Sequence, residues 1–334
     1  MRSLVTGATG FLGKQLVVKL SKLGHEVTAL GRNSSIGEQL VTDNVHFIAR
    51  DLRDRSGIIA DLQGQDYVFH CGALSSPWGK DRDFHEINFL GTRNVIQGCQ
   101  IHHIKRLIHV STSAVYCNYH DRLNILENTP LPIPVNAYAS SKQLAELEVS
   151  KAHQSGVPTI AIRPRGIFGP GDTAILPRLM RANRRGGIPL IDRGKACIDI
   201  TYVDNVIDAL LLCQTAPETL LGRIFNITNG EPITVANLLT QLFAKLEEPC
   251  RLRPISLRTA NWTASLMESI ANTILLGREP ILTRYTVGLL AYSQTLDITA
   301  ATHELGYQPR VSIDNGLDIF ARWYQTNNRD RYVP

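Results

Sequence analysis

The sequence predicts an α/β fold in which a doubly wound parallel sheet is followed by a smaller C-terminal lobe. Short apolar segments alternate with helix-like segments along the first half of the chain, which is typical of parallel strands joined by helical crossovers. These strand-like segments are residues 3–5, 26–30, 45–49, 67–70 and 105–110. Beyond Arg165 the spacing of glycine and proline changes and strand-like segments become sparse.

The boundary between the two parts is placed after Arg165. We expect one domain at 1–165 and a second lobe at 166–334. The apolar segment 224–227 reads as a strand that returns to the main sheet.

Composition indicates a soluble globular enzyme-sized chain rather than a nucleic-acid-binding protein. Of the 334 residues, 19% are charged and 43% apolar, and the net charge is only +5. The densest basic cluster, Arg178, Arg181, Arg184 and Arg185, has no interleaved aromatic residues. We therefore interpret it as a solvated helix face and expect no nucleic-acid partner.

Cysteine spacing and hydropathy predict a cytoplasmic protein without metal or membrane insertion. The six cysteines lie far apart, with no spacing typical of a disulfide framework or a zinc site. No leader precedes the first strand, and no run reaches the length of a spanning helix. In segment 257–276, apolar residues recur every four positions, at Trp262, Leu266, Ile270 and Ile274. We interpret this segment as a core or substrate-covering helix, with a membrane-surface helix as the alternative.

A glycine-rich turn follows the first strand and opens a helix-like segment. Gly7 permits the tight turn, Gly10 permits backbone approach to a pyrophosphate, and Gly13 permits close helix packing. The context of strand, turn and helix favours dinucleotide binding. The other residues assigned to this contact are Thr9, Phe11 and Leu12.

The end of the second strand favours NADP over NAD, although NAD stays possible. An NAD site usually places a carboxylate there, whereas this chain has Arg32 and Asn33. An arginine pairs well with a phosphate. Further on, Asp51 and Leu52 are expected at the adenine, where Asp51 accepts from the amine or caps the next helix. The small residues 71–73, Cys71, Gly72 and Ala73, are expected to admit the cofactor.

Tyr138 and Lys142 lie four positions apart on a helix-like segment that extends to about residue 154. Residues at that spacing share a helix face. A nearby ammonium would lower the pKa of the phenol from about 10 and suit it to proton transfer. The hydroxyl-rich run 111–116 comes directly after the fifth strand, where ligands bind in such sheets.

Six motifs in register resemble the extended short-chain dehydrogenase/reductase family, which has a Rossmann fold. They are the glycine triplet, Asp51-Leu52, Asn88-x-x-Gly91-Thr92, the hydroxyl run before Val115-Tyr116, Tyr138-x-x-x-Lys142 and Arg163-Pro164. The resemblance implies that Tyr138 is the general acid/base and that Lys142 also binds the nicotinamide ribose. It implies that Thr112 polarises the substrate oxygen, with Ser113 as the fallback. Asn88 would hold a relay water or make a structural helix contact.

Two departures argue against nucleotide-sugar substrates. Ser113-Ala114 replace the acidic pair of the family's dehydratases, and Ile198 replaces the arginine with which its epimerases grip a diphosphate. The chain is instead similar to the 3β-hydroxysteroid dehydrogenase/isomerase branch, through residues 74–79, 167–172 and 282–286. The resemblance implies an apolar pocket. The residues assigned to the substrate are Ser76, Trp78, Thr112, Ser113, Arg165, Ile167 and Ile198.

These observations predict an NADP-preferring oxidoreductase that moves hydride between the nicotinamide and an apolar secondary alcohol or ketone. The alternatives are a nucleotide-sugar epimerase or dehydratase, and a non-catalytic NADP-sensing regulatory protein. The family resemblance also implies a homodimer that pairs through segments 83–102 and 138–154.

Overall fold

The computed structural model describes residues 1–273 and 278–328. Its strands are β1 (Arg2–Thr6), β2 (Glu26–Gly31), β3 (Val45–Ala49), β4 (Tyr67–His70), β5 (Arg106–Val110), β6 (Arg122–Ile125), β7 (Thr159–Pro164), β8 (Ile167–Phe168), β9 (Ile188–Ile191), β10 (Cys197–Ile198), β11 (Thr201–Tyr202), β12 (Ile224–Ile227), β13 (Ile233–Thr234), β14 (Leu252–Ile255) and β15 (Gln294–Leu296). Its α-helices are α1 (Phe11–Lys22), α2 (Ser34–Glu38), α3 (Arg55–Asp61), α4 (Asp81–Phe84), α5 (Gly91–Ile101), α6 (Ala137–Gln154), α7 (Leu176–Arg184), α8 (Val203–Thr215), α9 (Val235–Lys245), α10 (Leu257–Thr273), α11 (Arg284–Ala291), α12 (Thr299–His303) and α13 (Ile313–Asn328).

A seven-stranded parallel sheet in the order β12-β7-β5-β4-β1-β2-β3 forms the centre of the molecule. The doubly wound α/β fold is thus confirmed. Its central strands are almost entirely buried because helices cover both faces. In β1, adjacent residues serve opposite faces: Val5 packs in a cluster with α1 and α8, whereas Leu4 packs with α3, α5 and α6.

The two halves of the chain exchange strands. Ile224–Ile227 pairs in parallel with β7 and forms an edge of the main sheet. In the other direction, Arg122–Ile125 leaves the first half and joins a four-stranded sheet in the order β13-β10-β15-β6. Two short parallel pairs, β8 with β11 and β9 with β14, complete the second lobe. The chain therefore enters the second lobe before residue 165, at β6, and returns to the main sheet after it, at β12.

Helix α10 turns its large apolar side chains outward, which corrects the expectation that this row packs in the core. Trp262 is 69% exposed and Leu266 46%, while Ala260 and Ala264 are buried against Val287 of α11. The packing face of α10 consists of small residues, and these allow the helix to lie close to its neighbours. Residues 274–276 of the predicted segment lie outside the described residues. Within the described part of the chain, no helix has the length and apolarity needed to span a bilayer.

The basic cluster on α7 is partly neutralised by ion pairs. Arg178 pairs with Glu279 at 2.7 Å and Arg184 with Glu248 at 2.5 Å. All six cysteines are free thiols.

Candidate active site

The carboxyl ends of β1, β4 and β5 meet at one edge of the main sheet because these neighbouring strands run in parallel. The glycine turn, the loop from Cys71 and the hydroxyl-rich run from Ser111 extend from these three ends. The structure therefore brings the predicted cofactor and catalytic segments together.

The turn after β1 makes close backbone contacts that require glycine. Gly7 has φ of +69°, and a Cβ there would lie 2.6 Å from the Cα of Gly72. A Cβ on Gly13 would lie 2.2 Å from the carbonyl oxygen of Gly7, so α1 packs directly on the turn. Helix α1 starts after Gly10 without a side-chain cap. Its first N–H groups can bind an anion, and the turn fits a dinucleotide pyrophosphate.

Half-buried side chains surround this turn. Thr9 lies against the end of β2, where a Cβ on Gly31 would meet its Cγ2 at 2.6 Å. Phe11 and Leu12 are half-buried in the first turn of α1. On the far side, the N–H of Gly72 donates to Thr6 Oγ1 at 3.0 Å, which fixes the loop that also holds Cys71 and Ala73. Burial raises the pKa of the Cys71 thiol to about 12, so this thiol is neutral.

Arg32 is exposed directly after β2 and has no carboxylate within ion-pair distance in the parts of the chain described. By contrast, Arg50 at the end of β3 is held by Asp54 and Asp61. Asn33 caps α2 by accepting from the N–H of Ile36 at 3.1 Å. An unpaired guanidinium next to Gly31 leaves this corner open to a phosphate.

Asp51 and Leu52, the residues predicted to lie at the adenine, make contacts with nearby parts of the chain. Asp54 caps α3 by accepting from Gly57, so Asp51 is not the helix cap. Asp51 instead pairs with Arg53 at 2.8 Å, and these hydrogen bonds lower the pKa of the carboxyl. Leu52 lies against Gly91, where a Cβ would meet its side chain at 2.8 Å.

Three hydroxyl groups lie beyond the carboxyl ends of β4 and β5. The phenol of Tyr138 is close enough to the side chains of Ser75 and Thr112 for both to lower its pKa. The Oγ1 of Thr112 also accepts from the N–H of Ala114 at 3.2 Å, which leaves its proton to donate. Sequence analysis named Ser76, whose hydroxyl instead donates to the carbonyl of Trp78 at 2.7 Å. The sequence does not show which of the two adjacent serines lies near Tyr138, because this depends on the conformation of the loop backbone.

The expected lowering of the Tyr138 pKa is wrong for the protein without cofactor. Burial raises the pKa of Tyr138 and outweighs the hydrogen bonds from Ser75 and Thr112 that lower it. Lys142 is directed elsewhere: its Nζ donates to the carbonyl of Val110 at 2.8 Å. The phenol is therefore protonated at neutral pH.

Lys142 is 1% exposed and lies beside a buried histidine that sequence analysis did not assign to the site. The Nζ of Lys142 is 3.4 Å from His109 Nε2, and burial lowers the pKa of Lys142 to about 8. Burial also holds the pKa of His109 well below its usual range. His109 is thus a neutral neighbour of Lys142. The sequence signal is only that His109 is a polar residue one position before the end of β5, where most residues are apolar.

His70, which packs at 5.3 Å from His109, connects three elements. Its Nδ1 is 2.7 Å from Thr6 Oγ1 and its Nε2 is 2.9 Å from Thr92 Oγ1. The Thr92 hydroxyl donates to the carbonyl of Asn88, so Nε2 must be the donor to Thr92. Both ring nitrogens are satisfied in one neutral tautomer.

Asn88 makes a structural contact. It lies in a π-helical turn, His85–Leu90, between α4 and α5, a feature frequent at functional sites. Its Oδ1 accepts from the N–H of Leu74 at 2.7 Å, and its Nδ2 donates to the carbonyl of Leu74 and to Ser141 Oγ. Asn88 thereby connects the loop after β4 to α6.

The residues assigned to the substrate differ in their surroundings. Ser113 is buried in the 3-10 turn Ser113–Tyr116, beside Thr112. Ile198 pairs in register with Gln294, which accepts from Arg165. Ile167 is half-buried in the β8–β11 pair, and Trp78 is half-buried after β4. In the described parts of the chain, no group of His, Cys, Asp or Glu could hold a metal.

Comparison with known proteins identifies the family of the chain. The model of the NAD dependent epimerase/dehydratase family matches residues 3–228. The chain is 35% identical to 2-alkyl-3-oxoalkanoate reductase of Stenotrophomonas maltophilia, covering 95% of this chain and 97% of that protein. It is 30% identical to human sterol-4-alpha-carboxylate 3-dehydrogenase, decarboxylating, covering 95% and 86%. The solved dTDP-glucose 4,6-dehydratase DesIV of Streptomyces venezuelae, with NAD and TYD bound, superimposes with a TM-score of 0.78 at 26% identity, covering 98% of each chain.

Proposed function

Because the chain belongs to the NAD-dependent epimerase/dehydratase family and is an enzyme acting on hydroxyl or keto groups, we propose that it reduces the ketone of a mostly apolar substrate, or oxidises the matching secondary alcohol. The substrate is of the 3-oxoalkanoate or 3β-hydroxysteroid type. The observation that carries this proposal is that Thr112 and the loop with Ser75 follow the adjacent carboxyl ends of β5 and β4, where both side chains are close enough to Tyr138 to lower the pKa of its phenol.

In the proposed mechanism, a bound nicotinamide supplies or accepts the hydride at the carbonyl carbon. Tyr138 donates its phenolic proton to the carbonyl oxygen, and the product is the secondary alcohol. Thr112 and Ser75 hydrogen-bond the same oxygen or the phenol and stabilise the charge that develops there. The raised pKa of Tyr138 keeps the phenol protonated before the reduction. Lys142 provides the ammonium for the nicotinamide ribose.

Nucleotide-sugar chemistry is the weaker candidate. Ala114 is buried and apolar where the dehydratases carry an acid, and Ile198 offers no partner to a diphosphate. A purified protein that converts a nucleotide sugar with tightly bound NAD would favour that alternative.

Replacing Tyr138 with Phe tests the catalytic assignment. We expect turnover of every active ketone in an NADPH absorbance assay to disappear, with NADPH binding retained, because only the proton donor is lost. Ser75→Ala should lower kcat by about tenfold. Ser76→Ala is the matched control and should change kcat little, since its hydroxyl is used in the loop. Undiminished turnover in Tyr138→Phe would contradict the mechanism.

We also propose a preference for NADP, supported by the unpaired Arg32 and the absence of a carboxylate at Gly31. Arg32→Ala should raise the KM for NADPH by about tenfold or more and the KM for NADH little, because only NADPH carries the 2′-phosphate. Arg50→Ala, which removes an arginine already paired with Asp54 and Asp61, is the control. Equal changes in the KM for NADPH and for NADH would show that Arg32 does not bind the 2′-phosphate.

Finally, we propose a homodimer that pairs through the exposed sides of α5 and α6. A groove between these helices is lined by Leu90, Gln97, Glu148 and Lys151, which gives a partner both apolar and charged contacts. Light scattering should give twice the chain mass of 37.0 kDa. A mass equal to one chain would reject the dimer.

A further inference from the structure

Helix α10 presents a row of large apolar side chains to solvent. Trp262, Leu266 and Ile270 lie about one helical turn apart, with exposed fractions of 69%, 46% and 37%. The packing of α10 against α11 uses the opposite side of the helix, through Ala260 and Ala264. A continuous apolar row on a surface helix marks a binding surface, because its exposure to water is unfavourable.

Positive charge is concentrated in the part of the chain that contains this helix. Residues 176–195 and 250–291 include α7, β9, β14, α10 and α11, and we call them the basic layer. They hold eleven lysines and arginines but only three aspartates and glutamates. The whole chain has 35 basic and 30 acidic residues, so the rest of it holds 24 basic and 27 acidic ones. The net positive charge of the protein therefore comes from the basic layer.

The elements of the basic layer pack against one another. Strand β14 pairs in parallel with β9, and Ile191 at the end of β9 packs in a cluster with Ala260 of α10 and Val287 of α11. A Cβ on Gly186, two residues after α7, would lie 3.1 Å from Nη2 of Arg253 in β14. The charges of α7 and β14 therefore lie in the same region of the second lobe as α10.

Most of the arginines in the basic layer can bind an external anion. Two of the three carboxylates already have partners, since Glu268 pairs with Arg284 and Glu279 with Arg178, each at 2.7 Å. The third, Asp192, lies on a turn with two basic residues. The exposed arginines that form no ion pair with any described residue include Arg181, Arg185, Arg251, Arg253 and Arg258.

We propose that the protein binds through α10 to the surface of a bilayer that contains anionic lipids. The helix lies in the plane of that surface, with Trp262, Leu266 and Ile270 at the boundary between headgroups and acyl chains. Tryptophan suits this boundary because its ring is apolar and its N–H is polar. Arg258, one turn before Trp262 in the same row, and the free arginines of β14 and α7 bind the lipid phosphates.

This binding does not depend on the proposed function. If both hold, the bilayer surface brings the enzyme to the phase in which an apolar substrate dissolves.

A lipid surface fits the basic layer better than a second copy of the chain or a nucleic acid. A two-fold dimer places the same surface of both copies face to face, so the free arginines of the two chains would repel one another. Three apolar side chains also cover much less than the roughly 800 Å² per partner of a stable interface. A nucleic acid would pair with the arginines but leave the apolar row in water. An anionic bilayer satisfies both parts of the surface.

Vesicle sedimentation with the full chain tests this proposal. Wild-type protein should bind vesicles of equal parts phosphatidylcholine and phosphatidylglycerol about tenfold or more better than phosphatidylcholine alone, because the arginines need an anionic lipid. Added salt should weaken this binding. Trp262→Ser combined with Leu266→Ser should lower the partition coefficient about tenfold or more, because apolar area is lost. The matched control, Leu123→Ser combined with Ile133→Ser, replaces residues that are 59% and 90% exposed elsewhere and should bind like wild type.

Tryptophan fluorescence gives a second measurement. The emission of wild-type protein should shift to shorter wavelength on addition of the mixed vesicles, because the Trp262 ring leaves water. Trp262→Phe should still bind but lack this shift. Since this replacement is conservative at an exposed position, it decides the outcome if the serine variant of α10 does not fold. A wild-type spectrum unchanged by the vesicles would overturn the proposal.

The other outcomes assign the surface differently. Absence of wild-type binding to the mixed vesicles, or equal binding by the serine variant of α10, would reject the bilayer surface as the partner of this helix. A smaller mass of the serine variant in light scattering would show that the row is an interface between copies. Binding to duplex DNA without binding to vesicles would assign the free arginines to a nucleic acid. Each of these results contradicts the proposal.

Discussion

Burial shifts the pKa of the Tyr138 phenol and the pKa of the Lys142 ammonium in opposite directions. Burial raises the pKa of the phenol and lowers that of the ammonium to about 8, since each loses water around its charged form. Glu146 opposes the effect on Lys142 without cancelling it. The free protein therefore holds a neutral phenol and a lysine that loses its charge just above neutral pH.

This pKa leads to a prediction for cofactor capture. As pH rises through about 8, Lys142 becomes neutral and loses a donor and a charge for the ribose, so kcat/KM for NADPH should decline. The ratio kcat/KM reports the free enzyme, which is the state described here. Lys142→Met should be weaker at all pH values and lack this decline. A flat wild-type profile, or the same decline in Lys142→Met, would contradict the assignment.

At the scale of elements, the π-helical turn His85–Leu90 sets the position of the loop after β4. Asn88 points from this turn between Leu74 and Ser141 and bonds to both. Ser75, which is close enough to Tyr138 to lower the pKa of its phenol, is the residue after Leu74. The turn therefore supports the reaction centre without touching it.

Replacing Asn88 with Ala tests this positioning role. We expect a loss of about 1–3 kcal/mol in the free energy of unfolding, measured by urea denaturation, because Leu74 and Ser141 lose buried partners. We also expect kcat to fall while the KM for NADPH changes little. Asn94→Ala is the control, since it removes one bond to the carbonyl of Leu52 away from Tyr138. An unchanged kcat would mean that Asn88 has a structural role alone.

Elements with a strong local signal could be predicted from sequence, whereas those defined by distant pairing could not. The five strand-like segments of the first half, the glycine turn and the helix from Tyr138 all appear, because apolar runs and glycine spacing are local features. Strands β8, β10, β11 and β13 have only two residues and depend on partners far along the chain. The exposed apolar residues of α10 recur at helical spacing, but this spacing does not show which face of the helix packs against the rest of the protein.

In the candidate site too, some residues could be predicted from the sequence and other features could not. Sequence order and residue type indicated Thr112, Tyr138 and Lys142. The pKa of Tyr138 and the choice of Ser75 over Ser76 follow from burial and direction, which a one-dimensional pattern does not contain. His109 was missed because nothing local shows that Lys142 reaches across to β5.

At the scale of the whole molecule, we expect the two lobes to unfold as one cooperative unit, because each supplies a strand to the other. The core cluster around Leu16 and Val17 of α1 also includes Val206 and Leu210 of α8. Separating the chain after Arg165 would expose this surface and leave β7 at an open edge.

A fragment of residues 1–165 should therefore fail to fold on its own, although it contains every predicted cofactor-binding residue. We expect no cooperative urea transition and no NADPH binding, because α8 and β12 are absent. The full chain is the control and should unfold cooperatively with NADPH-dependent stability. A fragment that unfolds cooperatively and binds NADPH would show that the first part is an independent domain.

The late position of β12 in the sequence also matters while the chain is being made. Roughly 60 residues separate the end of β7 from β12, or roughly 3–12 s of synthesis at typical ribosomal rates. During that interval, the apolar segment that forms β7 has no β12 to pair with, and its backbone groups stay exposed. The unfinished protein therefore passes through a stage at which chaperone binding and aggregation compete. This stage ends when Ile224–Ile227 has been made and pairs with β7.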